Sequence, residues 1–348
     1  MDSGPSNWCL GRWNRAGRDA PWTSVDGGAR REQPCPGMAS GDQEFSVVIP
    51  THNRPRQLAV CLRALAQQEY PRERFEVIVV DDGSSTPIGD VLTAFETRLA
   101  LTLVTVPNAG PAAARNQGAA QARGRYLAFT DDDCAPTVAW LQALDARART
   151  VPGAMLGGRT LNRIPEKLCS AASQLVLDAV YAHFNADPDR AQFFASNNLA
   201  VPADRFRALG GFDAAFRTAE DRDLCDRWLG GGGCLVYEPQ AVVYHAHPLT
   251  LGGFWRQHVA YGRGAYRFHS TRNRWARCEI DGGFYRELGL RPFSRDEGRR
   301  AIRLTLLLAV QQAANAVGFL TEMLGQRWRG REAGRDIEAR GEGRVPEG

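Results

Sequence analysis

Phe75-Glu76-Val77-Ile78-Val79-Val80-Asp81-Asp82-Gly83-Ser84-Ser85 is the stretch on which the fold turns. Its first six residues carry one charge and are rich in β-branched side chains, as expected of a buried strand. The run then stops in two aspartates, a glycine and two serines, which is loop composition. The same unit recurs along the chain. Upstream, Ser46-Val47-Val48-Ile49-Pro50 leads into Thr51-His52-Asn53-Arg54. Downstream, residues 101–106 read as a third strand, and residues 125–130 as a fourth that ends in Asp131-Asp132-Asp133.

Helical segments lie between these strands. Asn53 can cap a helix whose first turn accepts Pro55. Leu58, Leu62 and Leu65 then share one face. Residues 110–123 are alanine-rich and helical, and a further helix is expected over 137–149. Strands alternating with helices imply an α/β fold with a mostly parallel central sheet and helices on both faces. Ligands of such sheets sit at the carboxyl ends of the strands. The clusters at 51–54, 81–85 and 131–133 are therefore expected on one rim.

The second half is less regular. Residues 193–201, 210–213 and 220–228 read as a loop, a turn and a helix start, with short strands at 234–237 and 241–244. After Pro248 the chain turns arginine- and aromatic-rich, and 301–324 is a long apolar helix candidate. The expected organisation is a disordered segment over 1–44, an α/β domain over 45–250, a helical extension over 251–330 and a disordered tail over 331–348. Met38, just before the first strand, is an alternative start to Met1.

The 348 residues carry a formal net charge of only +4, which argues against a nucleic-acid binder. Lys167 is the sole lysine, a bias that runs through surface positions and motifs alike. The eight cysteines form no C-x-x-C pair and read as free thiols of a reducing compartment. The N-terminus lacks the apolar core of a signal peptide, so a cytoplasmic location is expected.

Several clusters carry chemistry. Three adjacent carboxylates at a strand end repel one another unless a cation neutralises them. Oxygen ligands of this kind suit Mg²⁺ or Mn²⁺, although a solvated acidic turn fits equally well. Arg115, on the alanine-rich helix after Gly110, is placed for a phosphate, or is a solvated surface arginine. Asp81 can accept a hydrogen bond from a base or ribose, or close a turn through Asp82-Gly83. Glu220-Asp221-Arg222-Asp223 is either a general base near the rim or dipole pairing at a helix N-terminus. His245 and His247 can offer an imidazole to a metal or donor, or be structural.

In order and spacing these segments resemble the family 2 glycosyltransferases of GT-A fold. The match runs over about 45–250. Residues 46–54 look like that family's opening strand and nucleotide-binding loop, and Val79-Val80-Asp81-Asp82-Gly83-Ser84 is similar to its second signature. Residues 110–116 look like its G-x-x-x-A-R-N helix, 129–133 its D-x-D motif and Glu220-Asp221 its E-D motif. The segments 196–200 and 210–213 also fit. The resemblance implies donor contacts from Pro50, Thr51, Asn53, Arg54, Asp81, Arg115 and Asp131, with Asp131 on the ribose. It implies a metal held by Asp133 with Asp131 and His245, Asp221 as catalytic base with Glu220 as runner-up, and acceptor contacts from Asn198 and Trp140.

The implied reaction is metal-assisted, inverting transfer of one sugar from a UDP-, GDP- or TDP-sugar. The acceptor would be a saccharide, lipid-linked or small molecule, in bacterial cell-envelope glycan or glycoconjugate synthesis. The Q-x-x-R-W signature of processive synthases is missing, its nearest counterpart being Trp255-Arg256-Gln257-His258, which favours single transfer. Two alternatives are weaker. A sugar-phosphate nucleotidyltransferase needs a glycine-rich loop where Pro50-Thr51-His52 stands, and an inactive binding module has no need of Glu220-Asp221. Arginines flank the apolar 301–324 segment, so it either lies on the inner face of the cytoplasmic membrane or packs on the α/β domain, the latter being preferred.

Overall fold

The computed structural model describes residues 43–271, 282–296 and 298–341. The expectations for residues 1–42 and 342–348, including the choice between Met1 and Met38, lie outside the described residues.

Four strands form the parallel half of the sheet: β1 (Phe45–Thr51), β2 (Phe75–Asp82), β3 (Leu101–Val106) and β4 (Tyr126–Phe129). β1 pairs with both β2 and β4, and β2 with β3, all parallel. Between them run α1 (Pro55–Leu65), α2 (Gly89–Thr93) and α3 (Pro111–Gln121). Side chains alternate faces along a strand. Val47 and Ile49 accordingly join Leu58, Leu62 and Leu65 of α1 in one core, while Val48, Ile78 and Val80 enter a second core on the other face. α3 lies very close to that second face. A Cβ on Gly118 would come within 2.5 Å of Val48 and 2.9 Å of Val80, so glycine is what lets α3 seat there.

The remaining elements are β5 (Cys134–Pro136), α4 (Trp140–Thr150), β6 (Met155–Asn162), α5 (Leu168–Phe184), β7 (Leu199–Pro202), α6 (Ala203–Ala208), α7 (Glu220–Gly230) and β8 (Leu235–His245). They extend the sheet to the order β3-β2-β1-β4-β7-β6-β8-β5. β7 runs antiparallel to both β4 and β6, and β5 antiparallel to β8, so the sheet is parallel on one side and mixed on the other. The two short strands expected at 234–237 and 241–244 are one continuous strand, β8, with an irregularity in its pairing to β6 near Gly158.

Three helices follow: α8 (Leu251–Thr271), α9 (Gly282–Arg295) and α10 (Gly298–Gly341). They dock on α5 through a third cluster that includes Leu175, Phe254, Phe284, Leu288, Leu304 and Leu308. α8 and α10 cross with backbones in contact: a Cβ on Gly262 would lie 2.0 Å from the Asn315 carbonyl, and one on Gly318 would lie 2.0 Å from that of Val259. α10 also continues to Gly341, where a disordered tail from 331 was expected.

Candidate active site

A cavity of about 810 Å³ opens between the strand ends and helices α5, α8, α9 and α10. Its acidic rim begins at the end of β4. The Cys134 amide donates to the Asp131 carbonyl at 3.1 Å, closing a turn that sets all three aspartates on the cavity wall.

The three carboxylates have separate partners. Asp131 accepts from Arg115 at 2.7 Å. Asp132 is buried, accepts from the Thr51 hydroxyl at 2.7 Å and from Arg54 at 3.2 Å. Burial pushes its carboxyl up to about 6 against the pull of Thr51 and Arg54. Asp133 meets Arg54 at 3.1 Å, His245 Nε2 at 3.2 Å and His247 Nδ1 at 3.5 Å. Burial opposes its charge, but the two imidazoles and Arg54 prevail and hold it well below the usual carboxylate range. The His245 imidazole loses to burial and gains more from Asp133, so its pKa is raised.

Strand register explains this grouping. β5 follows Asp133 directly and places Cys134 opposite His245 on β8. The Ala246 amide then donates to the Asp133 carbonyl at 2.9 Å. The stacked rings of His245 and His247 are thereby delivered to Asp133. One carboxylate and two imidazoles facing a cavity are a donor set suited to a divalent ion. Cys134 lies close to Asp133 and His245; it is fully buried, with its thiol pKa raised well above the ordinary value, first by burial and then by Asp131 and Asp133.

On the opposite wall, α7 opens with Glu220 and Asp221 after Ala219, a non-glycine residue in the left-handed region with φ 70°. Arg115 is 3 % exposed and spans from Asp131 to Glu220, which it meets at 3.0 Å. Burial, with the Glu220 charge beside it, raises the Asp221 carboxyl to about 7. Asp223 pairs with Arg227 at 2.8 Å.

The structure corrects several sequence expectations. Asn53 does not cap α1. Its backbone is left-handed with φ 56°, and its side chain accepts from the Ser85 and Thr86 amides, tying the β1 loop to the β2 loop. Asp81 accepts the Ser84 amide at 2.9 Å, the local turn weighed as its alternative. Asp82 rather than Asp81 reaches the cavity wall, and it anchors the entry to α3 by accepting from the amides of Ala109 and Gly110. Arg115 also lines the cavity, and its guanidinium yokes the site by pairing with Asp131 and Glu220. Trp140 and Asn198 are fully buried and lie off the cavity wall. The indole donates to Asn198 at 2.8 Å, and Asn198 donates to the carbonyls of Arg159 and Ala241. They are a core brace, not acceptor contacts. Pro50, Thr51, Arg54, Asp131, Asp133, His245, Glu220 and Asp221 all line the cavity.

Residues 46–197 match the family model described as Glycosyl transferase family 2. The pre-mycofactocin glycosyltransferase of Mycobacterium tuberculosis is 29 % identical over 242 residues, covering 67 % of this chain and 49 % of that protein. The validoxylamine A glucosyltransferase of Streptomyces hygroscopicus subsp. limoneus is 32 % identical over 234 residues, covering 58 % of this chain and 52 % of that one. The chain thus spans about half the length of these curated relatives. Among solved structures, the mannosyltransferase PcManGT from Pyrobaculum calidifontis, in complex with GDP-Man and Mn²⁺, superposes with a TM-score of 0.60 at 17 % identity, over 80 % of this chain and 87 % of that one. Sequence match and fold agree: residues 46–197 of this chain match family 2 of the glycosyltransferases, and the chain shares the GT-A fold.

Proposed function

We propose that the protein transfers one sugar from a nucleotide-diphosphate sugar to an acceptor hydroxyl, with inversion at the anomeric carbon. The observation that carries the reading is Asp221. Its carboxyl has a pKa near neutrality and faces the same cavity as the triplet 131–133 and the histidine pair. A base poised near the working pH takes a proton efficiently. The Asp221 carboxylate accepts the acceptor's proton as that oxygen attacks the anomeric carbon. Glu220, held by Arg115, keeps a negative neighbour beside it. Asp133, His245 and His247 would hold a divalent ion, whose charge would stabilise the departing diphosphate. Thr51 and Arg54 shape the donor side by holding Asp132 and Asp133. A screen of UDP-, GDP- and TDP-sugars, read by mass spectrometry for released nucleotide diphosphate and new glycoside, tests the proposal. Release or transfer from at least one donor is expected; none from any donor overturns it.

Asp133→Ala removes the group on which both histidines converge. Calorimetric titration of UDP with Mn²⁺ is expected to show at least about tenfold weaker metal-dependent binding. An unchanged Mn²⁺ dependence excludes the ion from this position.

The reading extends to location. The most apolar 18-residue window within Gly298–Trp328 has a mean hydropathy of 1.4, and 33 % of it is buried. Ala301, Leu304 and Leu308 face the protein, while Ile302 and Leu306 are more than half exposed. Packing and surface contact are thus compatible, and we assign the outer face to an anionic bilayer on the cytoplasmic side, where a lipid-linked acceptor of envelope synthesis would lie. Ile302→Glu with Leu306→Glu is expected to lower co-sedimentation with phosphatidylglycerol vesicles severalfold. Equal sedimentation of variant and wild type refutes the contact.

A further inference from the structure

The cavity wall is divided by charge. Among the described residues, every aspartate, glutamate and arginine on it comes from the strand ends, α3 or residues 217–222; α5, α8, α9 and α10 contribute none. Those helices instead present neutral polar groups lacking partners within the protein. Both ring nitrogens of His258 on α8, the side-chain oxygens of Gln311 and Asn315 on α10, and the Ser173 hydroxyl on α5 are buried atoms with no hydrogen bond. His258 is 2 % exposed and Gln311 3 % exposed, and all four residues line the cavity. A buried polar atom without a partner costs free energy, so five of them, on four residues, converging on one space mark a place where a ligand supplies the partners.

Their chemistry narrows that ligand. Burial holds the His258 imidazole pKa down at about 4, with His247 adding to the effect. It is neutral at working pH and offers one donor and one acceptor. Serine and the two amides likewise offer both. An anion or cation on this wall would be desolvated with no countercharge, whereas hydroxyls and amides would be satisfied. Val176, Val180, Phe284 and Leu288 adjoin on the same wall and provide an apolar surface. The arrangement is also rigid. The close crossing at Gly262 and Gly318 fixes α8 against α10, and the Thr218 hydroxyl donates to the Ala260 carbonyl at 2.9 Å, tying α8 to the loop before Asp221.

We propose that Ser173, His258, Gln311 and Asn315 form the acceptor subsite, and that the acceptor is an uncharged molecule combining a hydroxyl- or amide-bearing part with an apolar body, as in an aryl or alkyl glycoside. The assignment of this ligand as acceptor rests on the transferase reading above; its neutral, amphiphilic character does not.

The test uses the full chain and a matched pair of probes, 4-methylumbelliferyl β-glucoside and the corresponding glucuronide. They share an aglycone and differ by one charge. Equilibrium titration followed by probe fluorescence is expected to show the glucoside binding at least about tenfold more tightly. Gln311→Leu and His258→Phe should each weaken it by about tenfold, the loss of a buried hydrogen bond, while UDP affinity with Mn²⁺ stays as in wild type. Ser173→Ala, on a third helix, repeats the measurement if either variant misfolds. Equal binding of both probes, or wild-type glucoside affinity in the folded variants, overturns the subsite. Failure of the wild type to bind any nucleotide would instead sink the transferase reading, and the glucoside titration would still report on the subsite.

Discussion

Replacing Asp221 with asparagine is expected to lower sugar transfer by about 10²–10⁴-fold while leaving nucleotide binding near normal. The amide keeps the shape and the hydrogen bond from the Arg222 amide, recorded at 2.8 Å, but cannot take a proton. The pH profile provides the sharper check. With the wild-type carboxyl raised to about 7, kcat/KM should climb through that region as the base ionises, and a bound divalent cation would move the limb downward. In the asparagine variant the limb should vanish. Stability runs the other way. A raised carboxyl lets the folded state hold a proton that the unfolded chain has released above about pH 3.9. The associated stabilisation is complete below that value and is lost as pH rises towards 7. The variant lacks this loss, so its urea midpoint relative to wild type should improve between pH 5 and pH 8. A variant that transfers normally would move the base elsewhere.

Arg115→Met should produce the largest structural cost. The guanidinium is 3 % exposed and bonds Asp131 and Glu220 at once. Removing it strands the Glu220 carboxylate, itself only 7 % exposed. Breaking a buried pair on one side costs about 3–5 kcal/mol, measurable by urea unfolding. Adding Glu220→Gln should recover part of that loss, because the stranded charge is gone, and the coupling energy from the double-mutant cycle isolates the pair. Additive effects of the two substitutions would show that Arg115 stabilises by packing, for instance against Phe212, whose ring lies 5.6 Å from its guanidinium.

The parallel half of the fold was legible because its signals are local. β1 and β2 are short apolar runs cut off by polar loops, and α1 repeats leucine on one face. Their convergence at one rim followed from the strand-end rule. The mixed half was not legible, because β7 and β5 are only four and three residues long and carry no periodicity. α5 escaped notice for a related reason: it is apolar on several sides, touching two cores, and shows no stripe. Among site residues, types were easier to read than tasks. Asp131, Asp133, Glu220 and Asp221 reach the cavity as expected. Sequence could not reveal that Arg115 would pair with two carboxylates, or that Trp140 and Asn198 would bond each other in the core. His247 sits two positions from His245 and had been weighed with it; only the β5–β8 register shows both reaching Asp133. His258 and Gln311 carried no signal, since an isolated histidine or glutamine on a helix becomes informative only once its neighbours prove apolar or unpaired.

That register has a further consequence. The grouping of Asp133 with two histidines hangs on a three-residue edge strand, the smallest paired element of the sheet. Strand pairing is all-or-none in its facing: a slip of one residue turns every side chain to the other side. Edge segments this short also open at low free-energy cost, well before the sheet as a whole. The ion-holding corner can therefore come apart while β1, β2 and β4 stay intact. Its failure would be a local, reversible loss of competence in an otherwise folded molecule, and whatever binds across β5 and β8 would act as the clasp that keeps this edge closed.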